Sequence, residues 1–151
     1  MFDLKDLYQE VIIDHSKRPR HFGKLAGQNR EAEGYNPLCG DRLTVELIVE
    51  DGIVKDAAFE GAGCAISTAS ASLMTDMVRG KTEAEAQALF RQFQDLVTRN
   101  DPPTEDDLLE LEKLAALAGV RAFPSRVKCA TLAWHTLSAA LDRRNAPVKT
   151  E

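Results

Sequence analysis

Three cysteines and one aspartate are the residues of this chain whose types and positions could do chemistry. Cys39 and Asp41 stand two residues apart in a short loop, where Gly40 permits a sharp turn of the backbone. Cys64 and Cys129 each stand near the predicted start of a helix. An odd number of cysteines would leave one thiol outside any disulfide framework. The thiols are therefore either small buried apolar residues or members of a shared metal or redox site.

The neighbours of the cysteines favour a metal site. Two glycines lead into Cys64, and a first-turn position brings its sulfur to unpaired N–H groups and the positive end of the helix dipole, which favour a thiolate. Cys129 lies off the apolar stripe predicted for the last helix, whereas an inert core cysteine should lie on it. Three thiolates and the carboxylate of Asp41 suit a tetrahedral site for zinc or iron. We therefore expect Cys39, Asp41, Cys64 and Cys129 to bind one metal ion.

Positive charge flanks the third cysteine. Arg126 and Lys128 would stabilise a nearby thiolate, although an ordinary solvated side chain is an equal alternative for Lys128 and a weaker one for Arg126. Lys128 is not expected to be a metal ligand, because an ammonium group has no lone pair to donate. Thiolates can also attack a sulfur donor and carry the sulfur as a persulfide. Cys39 is the thiol best suited to that step, because a loop residue moves at lower cost than one held in a helix.

Composition places the chain among single-domain globular proteins. It has 151 residues, of which 44% are hydrophobic and 28% charged, and we expect residues 1–151 to form one domain. The net charge of −5 argues against a nucleic-acid binder. No apolar run approaches the ~18 residues of a membrane span, and the N-terminus lacks the pattern of a signal peptide. The expected location is the cytoplasm, without nucleic-acid or membrane partners.

The periodicity of the chain predicts an α+β fold, a small antiparallel three-stranded sheet packed against several helices. Alternating apolar residues mark the second strand from Leu43, and Asp51-Gly52 is a hairpin signal before the third. The strands are predicted at about 31–35, 43–50 and 53–59, and the helices at about 3–16, 64–78, 82–99, 104–119 and 124–141. Residues 100–120 form an extra helical segment, and residues 143–151 are expected to be a flexible tail.

Two histidines, a tryptophan and a basic loop lie outside the cysteine motifs. His15 is predicted to lie on the surface or at the helix C-cap rather than in a site, and His135 is also predicted on the surface. Trp134 is expected to anchor the core. The basic loop around residues 17–20 is either a docking patch for an acidic partner or a solvated turn.

The three cysteine motifs resemble those of a known family. Residues 36–41 (NPLCGD), 61–67 (GAGCAIS) and 126–134 (RVKCATLAW), together with residues 14–23, resemble the IscU/SufU family of iron–sulfur cluster assembly proteins. The resemblance covers essentially the whole chain. It implies an antiparallel sheet covered by helices, in agreement with the periodicity.

Within that family the chain is more similar to the SufU branch. IscU proteins have a histidine immediately before the third cysteine, where this chain has Lys128, and they lack a segment equivalent to residues 100–120. The SufU resemblance implies zinc bound by Cys39, Asp41, Cys64 and Cys129. It also implies a sulfurtransferase-like carrier that accepts persulfide sulfur from a pyridoxal-phosphate cysteine desulfurase and passes it to downstream assembly or acceptor proteins. Cys39 is then the expected sulfur acceptor, with Arg126 steadying its negative charge.

Two other functions remain open at the level of sequence. In one, the chain is a scaffold that binds iron or a transient [2Fe–2S] cluster and passes it on. In the other, a structural zinc ion only stabilises the fold, which is less expected because the chain is large enough to form a core without a metal.

Overall fold

The computed structural model describes residues 4–37, 40–99, 101, 103–143 and 148–149. The elements follow in the order α1 (Leu4–Lys17), β1 (Arg30–Asn36), β2 (Asp41–Glu50), β3 (Ile53–Ala62), α2 (Ala65–Val78), α3 (Glu83–Thr98), α4 (Glu105–Leu111), a 3-10 helix (Glu112–Ala122), α5 (Pro124–Leu141) and β4 (Val148–Lys149). Three antiparallel strands with several helices confirm the predicted fold class.

The sheet has the order β3-β2-β1-β4. β1 and β3 both pair antiparallel with β2, and the two-residue β4, which the sequence did not predict, pairs parallel with β1. Asp51 and Gly52 have φ values of 55° and 75°, so both adopt the left-handed conformation that a type I′ hairpin turn requires. Because β1 and β3 both run antiparallel to β2, the start of β2 lies beside the ends of β1 and β3.

Helices α2 and α5 pack between the sheet and the remaining helices. The inward side chains of β2 and β3 include Val45, Leu47 and Phe59, all at most 3% exposed. Trp134 in α5 is fully buried against Phe93, which confirms its predicted place in the core. In the part of the chain that is described, no helix combines the length and hydropathy of a membrane span.

Local sequence signals fix the ends of several helices. The Thr82 hydroxyl accepts from the Glu85 backbone N–H at 3.1 Å, and the Glu85 carboxylate accepts from the Thr82 N–H at 3.0 Å, forming the predicted capping box. Thr104 and Asp107 make a similar reciprocal pair at the start of α4. A hydrogen bond from Arg99 to Asp107 lowers the pKa of that carboxyl to about 2. These bonds anchor the segment that follows α3.

The segment after α4 is a different type of helix from the one that the sequence predicted. The sequence predicted one amphipathic helix from residue 104 to Gly119, but the chain changes at Glu112 to a 3-10 helix that continues to Ala122. The buried residues Leu111, Leu114, Leu117 and Val120 recur every third position. A helix with three residues per turn stacks such residues on one face, so burial of this row favours the tighter helix.

Candidate metal centre

Three elements bring potential metal ligands together at one end of the sheet. Asp41 is the first residue of β2, Cys64 is the N-cap of α2, and Cys129 lies in the second turn of α5. One carboxylate oxygen of Asp41 and the two sulfur atoms all lie within 4.8 Å of one another. The structure thus brings together three of the four predicted ligands.

Asp41 is fully buried and its carboxylate is held from both sides. Oδ1 accepts a hydrogen bond from the backbone N–H of Cys64 at 2.9 Å, and Oδ2 lies 3.8 Å from Cys64 Sγ. A Cβ atom on Gly63 would lie 2.7 Å from Oδ1, so the residue before Cys64 must be glycine for the backbone to pass this close. The carboxylate is therefore positioned by the loop that leads into α2.

Cys64 combines exposure with contact to a helix terminus. Its backbone has φ −70° and ψ 169°, and its sulfur accepts a hydrogen bond from Ser67 N at 3.4 Å. The residue is an N-cap rather than the first-turn residue that the sequence predicted. Its sulfur therefore caps the start of α2 through the Ser67 N–H.

Cys129 is 5% exposed, and the sequence argument about its position was wrong. We expected it to lie off a single apolar stripe. Helix α5 is instead buried on nearly every side, and the residues buried along it are Cys129, Ala130, Thr131, Leu132, Ala133, Trp134, Thr136, Leu137, Ala139, Ala140 and Leu141. A central helix has no outer face to distinguish a site from the core. Proximity to Asp41 and Cys64, not position on the helix, makes Cys129 a candidate ligand.

A cavity of about 530 Å³ opens beside the two sulfur atoms and is lined by Asn36, Cys64, Ala65, Ile66, Ser125, Arg126 and Cys129. Arg126 is exposed at this cavity, and its Cζ lies 5.6 Å from the ring centroid of Phe123. Among the described residues, no carboxylate forms an ion pair with Arg126. Within the described part of the chain, the mouth of the site therefore presents a guanidinium that lies over an aromatic ring and forms no ion pair with an acid.

Cys39 lies outside the described residues, so its predicted roles as ligand and sulfur acceptor stay predictions. The residues on either side approach the cavity. Gly40 has φ 73° and donates its N–H to the carbonyl of Asn36 at 2.9 Å. Asn36 is 1% exposed and lines the cavity. The described flanks of the loop thus begin and end at the metal centre.

The donor atoms fit zinc. Two sulfur ligands on a tetrahedral zinc ion, each at about 2.3 Å, lie about 3.8 Å apart, and a sulfur and an oxygen ligand lie slightly closer. The observed 3.8 Å between Cys64 Sγ and Asp41 Oδ2 and the 4.8 Å limit for the whole group require only small adjustments. Two thiols and a carboxylate are also the ligand types that zinc and iron share.

Neither His15 nor His135 belongs to this centre, and His15 is buried rather than at the surface as expected. His15 is 2% exposed, and its Nδ1 lies 2.7 Å from Ser72 Oγ at the contact of α1 with α2. Burial is the main reason that its pKa is lowered. His135 is half-buried, with its ring 4.9 Å from that of Phe90. Each histidine faces a neighbouring helix that single-helix periodicity does not reveal.

Sequence reasoning missed residues that position the ligands rather than bind. Gly63 was read only as a turn residue, although it also makes room for Asp41. Ser67 was one of a run of small residues in α2, and its N–H contacts Cys64 Sγ. That run predicted close packing but did not identify the partner.

The comparisons with known proteins agree with this geometry. Residues 7–143 match the family model described as NifU-like N terminal domain. A Streptococcus pyogenes serotype M1 protein named iron-sulfur cluster assembly scaffold protein IscU is 45% identical over 140 residues, covering 93% of this chain and 86% of that one. The zinc-dependent sulfurtransferase SufU of Bacillus subtilis (strain 168) is 42% identical, with 89% of each chain covered.

Solved structures show the same fold. The crystal structure titled putative iron-sulfur cluster assembly scaffold protein for the SUF system, from Fervidobacterium islandicum AW-1, superposes with a TM-score of 0.80 at 33% identity, covering 92% of this chain and 99% of that one. A NifU-like N-terminal protein from Brucella abortus gives 0.79 at 26% identity, with 95% and 99% covered. From its motifs, fold and relatives, the chain belongs to the NifU-like N-terminal domain family, among the IscU and SufU proteins of iron–sulfur cluster assembly.

Proposed function

We propose that this protein binds one zinc ion through Cys39, Asp41, Cys64 and Cys129 and accepts persulfide sulfur from a pyridoxal-phosphate cysteine desulfurase. The observation that carries the proposal is the convergence of Asp41, Cys64 and Cys129 from three separate elements within 4.8 Å, beside an open cavity. The name of the Bacillus subtilis relative, a zinc-dependent sulfurtransferase, supports this choice of metal and activity.

The burial of Asp41 supports a bound cation. A fully buried carboxylate is costly unless hydrogen bonds or a positive charge compensate for lost water. Oδ1 has the Cys64 N–H, while Oδ2 is directed at Cys64 Sγ. Zinc at this position would supply positive charge and keep the thiols deprotonated. The three side chains would then hold the metal in the interior while the exposed side of Cys64 faces the cavity.

Cys39 is the proposed acceptor. Its thiolate would attack the outer sulfur of the desulfurase persulfide and form a new S–S bond. The S–S bond within the donor persulfide breaks, and the desulfurase cysteine leaves as a thiolate. The proton on the outer sulfur stays with it, so Cys39 becomes a persulfide and no oxidant or reductant is consumed. Arg126 at the cavity mouth would stabilise the negative charge during this exchange.

The same site supports a second candidate function, assembly of a transient iron–sulfur cluster. The name of the Streptococcus pyogenes relative, a cluster assembly scaffold protein, favours it. Lys128 weighs against it, because this residue stands where the IscU branch has a histidine and an ammonium group is no ligand. A purely structural zinc site is disfavoured by the exposure of Cys64 and the adjoining cavity, since structural zinc sites are closed.

The first experiment is metal analysis and absorption of the purified protein. We expect a colourless sample with about one zinc per chain. A brown sample with iron and sulfide would support the scaffold function instead. The protein is then incubated with a pyridoxal-phosphate cysteine desulfurase and cysteine without reductant, and its peptides are mapped by mass.

Added sulfur on Cys39 is the expected result, and Cys39→Ser should abolish it while retaining the fold. Sulfur only on Cys64 or Cys129, or full acceptance by Cys39→Ser, would contradict the role of Cys39. Zinc without any sulfur acceptance would indicate a structural metal.

A further inference from the structure

A buried serine joins the two helices that carry the cysteine ligands. Ser70 in α2 donates its hydroxyl hydrogen to the carbonyl of Ala130 in α5 at 2.5 Å. The same hydroxyl oxygen accepts the indole N–H of Trp134 at 3.1 Å. All three residues are fully buried. Ser70 thus makes two directional contacts with α5, one of them to the residue next to Cys129.

The hydrogen bonds of Ser70 lie close to both cysteine ligands. Cys64 is the N-cap of α2, roughly 9 Å along the helix axis before Ser70. The Ala130 carbonyl belongs to the same turn of α5 as the Cys129 sulfur. A shift of α2 along α5 would therefore change the distance between the two sulfur atoms and stretch the bond from Ser70 to Ala130.

Small side chains are common on both helices. Buried alanines occur on both helices, among them Ala69, Ala71 and Ala133. Small side chains permit close approach but provide few protrusions that lock one helix against the other. A serine in the middle of a helix more often bonds to its own preceding turn or points to solvent. Here the hydroxyl crosses to the partner helix.

We infer that Ser70 is a positioning residue for the metal centre, whose hydrogen bonds to Ala130 and Trp134 hold α2 and α5 at the separation that lets Cys64 and Cys129 share one ion. The inference rests on the proposed metal site. It gives the run of small residues in α2 a second role besides packing. It also predicts that loss of the hydroxyl changes metal binding more than the accompanying loss of stability explains.

The test compares Ser70→Ala with Ser72→Ala. Ser72 is a matched control because it is also fully buried in α2, but its hydroxyl contacts His15 and the N–H of Arg20 on the side of α1. Zinc affinity is measured by competition with a chelator, and cobalt(II) absorption reports the geometry of the ligands. Thermal unfolding of the metal-free proteins measures stability separately.

Both variants should be less stable than wild type. Only Ser70→Ala should lower zinc affinity, by at least about tenfold, and alter the cobalt spectrum. Equal zinc affinities and spectra in the two variants would overturn the inference. Wild-type protein that takes up neither zinc nor cobalt would instead overturn the proposed metal site, so the two failures are distinguishable.

Discussion

The candidate metal centre and the surroundings of His15 lie at different contacts of the same helix, α2, and they differ in what they can bind. At the N-terminus of α2, a carboxylate and two thiols from three elements converge beside a cavity. Along the helix, the imidazole of His15 meets the hydroxyl of Ser72, and its Nε2 is buried with no hydrogen-bond partner among the described residues. The first arrangement offers several ligands to one ion, and the second offers a single ligand within a packed interface.

The arginines near the two regions differ in whether a carboxylate neutralises their charge. Arg20 forms an ion pair with Asp14 at 2.6 Å. Arg126 instead lies over the ring of Phe123 and keeps its charge available to an anion at the cavity. A potential ligand or cation is therefore not evidence of a site by itself. Convergence of groups, access and unneutralised charge together distinguish the metal centre.

The largest expected effect is the loss of zinc affinity when a proposed ligand is replaced. Cys64→Ser, Cys129→Ser and Asp41→Ala should each weaken zinc binding by at least about 100-fold, because each removes or replaces a ligand. His15→Gln should keep the zinc content of wild type. Metal analysis after dialysis against a weak chelator measures both. If His15→Gln lost as much zinc as Cys129→Ser, the two regions would not differ in metal binding.

A smaller effect is expected where the backbone approaches Asp41. Gly63→Ala would place a Cβ atom 2.7 Å from Oδ1 and displace the carboxylate. We expect zinc affinity to fall by about 10- to 100-fold, the usual cost of disturbing the support of a ligand. Gly119→Ala is the control, since its Cβ would meet nothing within 4 Å. Equal affinity in the two variants would contradict the need for glycine at position 63.

The third prediction uses pH to probe the His15 region. Burial lowers the pKa of His15 from its ordinary 6.5, with a further contribution from Arg20 and Lys113 that Asp14 and Asp76 oppose. The unfolded chain therefore takes up the proton on His15 at a higher pH than the folded chain does. The contribution of neutral His15 to the free energy of unfolding is complete above about pH 6.5 and is lost as the pH falls below that value.

Urea unfolding of metal-free protein at several pH values between 8 and roughly 5 measures this dependence. His15→Gln should show a smaller decrease in the free energy of unfolding over that range than wild type. Identical decreases would mean that other groups dominate the acid response.

The smallest expected effect concerns the cation at the cavity mouth. A cation–π contact at an exposed position contributes about 0.5–1 kcal/mol, so Phe123→Leu should slow sulfur acceptance roughly two- to fivefold without changing zinc affinity. Phe123→Tyr, which keeps an aromatic ring, should be close to wild type. Leu109→Ala, at a residue 76% exposed, controls for loss of an apolar surface group. A single-turnover assay with desulfurase persulfide measures the rate of sulfur acceptance. Equal rates for Phe123→Leu and wild type would show that the Phe123 ring does not help Arg126 in this step.

Local signals explain which parts of the fold the sequence could predict. The hairpin at Asp51-Gly52 and the capping box at Thr82 depend on residues a few positions apart, and both appear in the structure as predicted. The three cysteine motifs identified candidate ligands because each motif combines a thiol with a turn or helix start. Their convergence, seen for two of the cysteines and Asp41, needed the fold itself.

The predictions that failed depend on contacts between distant segments. Burial of His15 requires α2, which follows it by some fifty residues, and the burial of Cys129 on a nearly encircled α5 requires the sheet and several helices at once. Periodicity within one helix cannot show how many neighbours that helix has. The short strand β4 likewise arises from pairing with β1, since two residues contain no period to detect.

The sheet is also protected along its borders. On one side, the backbone of residues 21–23 hydrogen-bonds to Phe59 in β3, and Ile53 forms a bridge with Thr82. On the other side, β4 pairs with Gly34 and Tyr35 of β1. Exposed strand edges are where one molecule recruits another into growing aggregates. A chain whose Cys64 thiol is exposed thus presents fewer open backbone groups to its own copies, which disfavours aggregation in a concentrated solution.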